Sequence, residues 1–142
     1  MEFAEIDNVQ LEEGGVMFRY LLIQIERNGQ TKDIVRGVNY QSYREGLEEK
    51  IVQAVERELR DRDFIEGGGV FKVDGGGSIA LNPYQETVIL FGSSQGYGVE
   101  QDRECVAKML GVAYPEHTVS WFGVDDPKSK DLESGEDLSE EA

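Results

Sequence analysis

The chain has 142 residues, 39% of them hydrophobic, with six Phe, six Tyr and one Trp, which excludes wholesale disorder, a collagen-like repeat and a disulfide scaffold. Twenty-nine Asp and Glu against 14 Lys and Arg give a net charge of −15, and long-range repulsion then argues against nucleic acid and against an anionic membrane as partners. One cysteine, Cys105, and one histidine, His117, cannot build a zinc cluster or an internal disulfide, so no metal or other cofactor is expected and a reducing, cytoplasmic setting is.

Residues 1–14 read as an acidic N-terminal segment without the basic and apolar regions of a signal peptide. VMFRYLLIQIE, residues 16–26, has the apolar density of a long buried strand. Arg19 and Gln24 interrupt it, and it falls short of the roughly 20 residues that span a bilayer. Asn28-Gly29 is a hairpin signal, and TKDIVRG after it reads as an antiparallel partner strand. Ser42-Tyr43-Arg44-Glu45 has capping-box spacing and predicts that a helix starts there, with Leu47, Ile51, Val55 and Leu59 along one apolar stripe. Gly46 falls inside that helix, at a cost of about 1 kcal/mol relative to Ala.

Two triple glycines, 67–69 and 75–77, bracket VFKVD, which reads as a strand between flexible turns. SIALN and ETVILFG follow as strands on either side of Pro83-Tyr84-Gln85. Residues 101–110 place Cys105, Val106, Met109 and Leu110 on one face of a second helix, stopped by Gly111, and HTVSWF closes as a strand. The fold class expected is α/β (α+β): a single mixed sheet of about six strands with two amphipathic helices packed on it, spanning residues 15–124. Residues 125–142 hold eight acids and two lysines, −6 of the net charge, with Leu132 and Leu138 their only large apolar side chains. That composition predicts an acidic, disordered tail, either a solubilising appendage or a docking strip for a basic partner.

Signals for chemistry are sparse. GGGSIA is not a P-loop, because no Gly-Lys-Ser/Thr follows and a strand rather than a helix comes next. FGSSQGYG, residues 91–98, ends an apolar strand and leads towards a helix, so its N–H groups can converge on an anion; its Gly and Ser equally suit an ordinary tight turn.

Phe18-Arg19-Tyr20 before LLIQI, IVRG with Arg36, GGGSI, FGSSQGYG and AYPEHTVSW occur in an order and spacing that resembles the phosphohistidine phosphatase, or Janus/Ocnus, family. The resemblance covers most of the chain from Gly15 to Trp121 and implies a mixed sheet with a helix on each face. It implies metal-free removal of phosphate from protein histidine, with a histidine as general base for water. Ser94, Gln95 and Gly96 match the loop whose backbone holds the phosphate, and Arg19 and Arg36 match its basic helpers. Arg44 stands at the position of the general-base histidine, and Ser78 and Leu81 stand where the family usually has Arg and His lining the site. A guanidinium, with a pKa above about 12, accepts no proton at neutral pH.

The expectation is therefore a catalytically impaired, phosphohistidine phosphatase-like domain that keeps an anion pocket formed by Arg19, Arg36, Arg44 and the loop, or that acts as an interaction module for a phosphorylated or acidic protein group. Arg44 alternatively sits exposed on the first helical turn, paired with Glu48. Two other readings stay open: an active phosphohistidine or phospholysine phosphatase using another base such as Glu45, and a purely structural subunit of a larger assembly. An insertion near residues 65–69 is expected to reshape the approach to the site.

Overall fold

Asn28 and Gly29 take φ angles of 55° and 80°, the left-handed pair that a two-residue hairpin turn needs, and they join β2 (Met17–Arg27) to β3 (Gln30–Asn39). The computed structural model describes residues 3–40, 46–123, 126–128 and 132. Its other strands are β1 (Val9–Leu11), β4 (Val70–Asn82), β5 (Thr87–Phe91) and β6 (Thr118–Trp121), and the sheet order is β1-β3-β2-β4-β5-β6. The β2–β3, β2–β4 and β4–β5 pairings are antiparallel, while β1 and β6 join as parallel edge strands. Helices α1 (Leu47–Asp61) and α2 (Arg103–Ala113) complete the mixed α+β fold that was expected. No helix among the described residues is long and apolar enough to cross a membrane.

Alternation along β2 sends its side chains to two cores. Leu21, Ile23 and Ile25 join Ile34 beneath Ile51, Val55 and Leu59 of α1, whereas Phe18, Tyr20 and Leu22 join Val35, Ile79, Val88 and Leu90 beneath Val106 and Leu110 of α2. Arg19 lies opposite Val38 on one side and Ser78 on the other, which puts it on the α1 face at the end of the sheet where that helix begins.

Four local expectations change. VFKVD and SIALN are one 13-residue strand, with Gly75, Gly76 and Gly77 in its middle rather than in a turn. A register shift opposite Leu22 and Ile23 leaves Asp74 without a partner on β2. The N-terminal segment belongs to the fold, because Ile6 is fully buried and β1 pairs with β3. Gly111 lies within α2, which runs on to Ala113, and Asp102 caps the start of that helix by accepting from Cys105 N at 3.1 Å. Finally, α1 begins at Leu47, with Gly46 as its N-cap at φ 68°, a left-handed conformation that suits glycine. The capping box at Ser42 to Glu45 lies outside the described residues.

Residues 65–69 precede Val70, which pairs with Glu26. Arg19 is seven residues back along β2, roughly 23 Å at about 3.3 Å per residue, so this segment does not shape the Arg19 end of the sheet. Leu132, from the acidic C-terminal stretch, is 2% exposed and packs with Ala80 and Phe91, so this leucine is not solvated.

Candidate anion-binding site

The loop after β5 folds back on itself. Ser94 N donates to Gly98 O at 3.2 Å and Gly98 N to Ser94 O at 3.0 Å, so Gln95, Gly96 and Tyr97 form the tip. Ser94 Oγ accepts from Tyr97 N at 3.1 Å, and Ser94 N also donates to Gly76 O at 3.1 Å. Ser94 therefore shapes the loop, and its own N–H is used within the fold.

Bare backbone in β4 allows this arrangement. A Cβ on Gly75 would stand 2.4 Å from Glu100 N, and one on Gly77 would stand 2.6 Å from Phe91 O and 2.8 Å from Arg103 Nη2. The chain leaving the loop thus lies directly against the sheet, where Gly76 N donates to Gly98 O at 3.0 Å.

A buried charged group locks the loop from below. Tyr20 donates its phenolic proton to Glu100 Oε2. Arg103 donates to Glu100 Oε1 at 2.9 Å, to Gly76 O at 3.2 Å and to Phe122 O at 3.0 Å. The ion-paired side chains of Arg103 and Glu100 are 3% and 0% exposed. Burial, and after it the Glu100 charge, hold the Tyr20 phenol well above its ordinary pKa, with Arg103 pulling the other way.

The two tip amides point at an anion. Gln95 N donates to Glu48 Oε2 and Gly96 N to Glu48 Oε1, each at 3.0 Å. Glu48 lies in the first turn of α1, where an acid complements the helix dipole. Arg19, Tyr40, Gly46, Glu48, Glu49, Gln95 and Gly96 line a cleft of about 620 Å³. Arg19 Nη1 donates to Ser93 O at 2.9 Å, and its guanidinium lies 5.4 Å from the centre of the Tyr40 ring. The Tyr40 hydroxyl and Ser78 Oγ are 2.9 Å apart, so Ser78 braces the wall that carries Arg19.

Of the residues singled out in the sequence, Arg19, Gln95 and Gly96 meet in this cleft, with Ser94 behind them. Arg36 does not join them. Its Nε and Nη2 each donate to Glu58 at 2.9 Å, it is 5% exposed, and it lines a separate cleft between α1 and the β1–β3 edge. Leu81 packs on the α2 side of the sheet, against the core that holds Tyr20 and Ile79. His117 precedes β6, its ring 5.6 Å from that of Tyr114, at the end of β5 away from the loop. Arg44 and Glu45 lie outside the described residues. Among those described, no group of three His, Cys, Asp or Glu side chains is placed to hold a metal ion.

Sequence reasoning gave Glu48 only as a partner for Arg44, and it overlooked Glu100 and Arg103. The last left a signal, because a cation in the first turn of a helix opposes the dipole unless an acid neutralises it.

The chain matches the Janus/Ocnus family model over residues 3–118, most of its length and all the elements that build this cleft. It belongs to the Janus/Ocnus family. This Janus/Ocnus chain is 26% identical over 127 residues to the 14 kDa phosphohistidine phosphatase of Sus scrofa, an alignment covering 84% of the chain and 92% of that relative. The human (Homo sapiens) protein of the same name is also 26% identical over 127 residues, covering 84% of the chain and 93% of that relative. The Janus/Ocnus domain thus aligns with almost the whole of each phosphatase.

Proposed function

We propose that this phosphohistidine phosphatase-like domain binds a phosphoryl group carried on a protein side chain and is impaired in hydrolysing it. One observation carries the reading: a carboxylate already bridges the Gln95 and Gly96 amides, in a cleft that Arg19 also lines. Adjacent N–H groups beside a guanidinium suit phosphoryl oxygens for the same reason that they suit this carboxylate. The names of the relatives support phosphohistidine as the group concerned.

Impairment follows from Arg44 at the family's general-base position. Hydrolysis of a phosphorus–nitrogen bond by water needs the water proton to leave, and a guanidinium takes none. General-base assistance is worth about 10²–10⁴-fold, so binding outlasts turnover when the base is lost. The domain then acts as a reader of, or docking module for, phosphorylated protein in a cytoplasmic setting, alone or within a larger assembly.

The test is hydrolysis of a phosphohistidine peptide by the wild-type protein and by Arg44→His, with binding followed at the Gln95 and Gly96 amides. The expected result is wild-type turnover close to the buffer rate, a gain in Arg44→His, and amide shifts in both proteins. Wild-type turnover far above the buffer rate would overturn impairment, and silent amides in both proteins would overturn the binding site.

A further inference from the structure

Glu48 Oε1 and Oε2 stand where two oxygens of a bound phosphoryl group would accept the Gly96 and Gln95 N–H bonds, at 3.0 Å each. One pair of donors cannot serve two anions, and like charges held that close repel. The carboxylate reaches the loop from the first turn of α1, on a half-buried side chain with three rotatable bonds, so it can swing aside without moving the helix. Arg19 stays on the wall, with one N–H on Ser93 O and others of its five donors available to a ligand.

The charge balance of the cleft narrows the ligand further. Its described lining contains Arg19 as the cation, with Glu48 and Glu49 as acids, in a chain of net charge −15. A free phosphate ion that displaces Glu48 meets two carboxylates and one guanidinium. A phosphoryl group beside lysine or arginine brings the counter-charge that the released carboxylate needs.

We infer that Glu48 is a resident anion that a phosphorylated ligand must displace, and that Glu48, once released, acts with Glu49 to select a phosphoryl group flanked by basic residues. This inference rests on the anion-binding reading above, and it adds the gate and the ligand class.

The experiment uses full-length, 15N-labelled wild-type protein, Glu48→Gln and Glu48→Ala. Each is titrated with inorganic phosphate and with two peptides carrying a phosphonate analogue of phosphohistidine, one flanked by Lys and one by Glu, while the Gln95 and Gly96 amide signals are followed. Removing a carboxylate that holds two charge-assisted hydrogen bonds should tighten phosphate binding about tenfold or more in Glu48→Ala. Glu48→Gln should fall between, since its single carbonyl oxygen replaces a carboxylate. The wild type should favour the Lys-flanked peptide, and that preference should narrow in Glu48→Ala.

Equal affinities in the three proteins, with amide shifts present, would sink the gate while leaving the anion site standing. Weaker binding in a folded Glu48→Ala or Glu48→Gln than in the wild type would make Glu48 a helper of the ligand and overturn its role as competitor. Absence of amide shifts with every ligand in every protein would remove the anion site itself.

Discussion

Arg103 Nη2 donates to Gly76 O across 3.2 Å, so the first residue of α2 is fastened to the middle of β4. The same guanidinium pairs with Glu100, just beyond the loop, and with Phe122 O, just beyond β6. Three separate chain segments therefore meet on one buried cation, and the loop tip that faces Glu48 hangs from that junction.

Arg103→Ala leaves the Glu100 carboxylate, which is 0% exposed, without its countercharge. Removing one partner of a buried pair typically costs about 3–5 kcal/mol, so the urea midpoint should drop sharply. Arg103→Lys should recover only part of the loss, because a single ammonium cannot copy a planar fork aimed at Glu100, Gly76 and Phe122 together. Full recovery by Lys would show that the charge alone matters there.

Tyr20→Phe removes the phenol that donates to Glu100 and should cost about 2 kcal/mol at neutral pH, the scale of a hydrogen bond to a charged acceptor. The pH dependence follows from the direction of the Tyr20 shift. A raised folded-state pKa means that the native protein holds the phenolic proton more tightly than the unfolded chain does. That stabilisation is complete below the unfolded value near pH 10 and is lost as pH rises through the higher folded value. Stability curves measured from pH 8 to 12 should therefore converge for wild type and Tyr20→Phe at the alkaline end. Parallel curves would contradict the coupling.

Two glycine substitutions should have opposite signs. A Cβ at Gly76 would lie 2.1 Å from Tyr20 O, a backbone atom of the central strand that cannot give way locally. Gly76→Ala should lose about 3 kcal/mol, at the upper end of the usual cost of overpacking. Gly111, inside α2, has nothing within 4 Å of such a Cβ. Gly111→Ala should gain about 0.5–1 kcal/mol from helix propensity, read as a higher Tm.

These glycines also mark where sequence patterns stop being readable. The β2–β3 hairpin was legible because Asn-Gly announces its own turn, and α1 was legible because Ile51, Val55 and Leu59 repeat at helical spacing. Triple glycine carries no such sign: it serves a flexible turn and a strand that must be touched by other backbone, and only the close approach of Tyr20, Phe91, Val99 and Glu100 separates the two. β1, three residues long, is too short for any period to show. Arg19 and Arg36 share a face of the sheet, yet Glu58 draws Arg36 away. Glu58 sits seven residues after Ile51, on the buried stripe of α1, and an acid at that position was the readable hint of a buried partner. Glu48 offered no equivalent hint, because its contact is with a loop 47 residues further along.

Arg19→Gln tests the basic wall of the cleft separately from the loop amides. The neutral side chain can still hydrogen bond, but it loses the charge that strengthens contact with a dianion. Binding of the phosphohistidine analogue should weaken about 10- to 100-fold, the range for charge-assisted hydrogen bonds. The Gln95 and Gly96 amides should still shift at saturation, because the loop is held by Ser94, Gly76 and Gly98 and not by Arg19 alone. Unchanged affinity would remove Arg19 from the ligand site and restrict it to bracing Ser93 and Tyr40.

Leu132→Ala tests whether the acidic C-terminal stretch contributes to the fold. α1 lies over β2 and β3, and the neighbouring part of the same sheet face, around Ala80 and Phe91, is covered by Leu132 with Met17, Ile89 and Phe122 at its border. Replacing a buried leucine by alanine costs about 2–5 kcal/mol, the lower end where a site can partly collapse. Since this cluster lies at the edge of the sheet face, we expect a loss of about 2 kcal/mol in urea unfolding. Phe91 and Ala80 flank Ser78 in register, and Ser78 braces Tyr40, so the same substitution should also perturb the Ser78 and Tyr40 signals at the cleft wall. A variant as stable as the wild type, with both signals unmoved, would return residues 125–142 to the role of a solvated appendage.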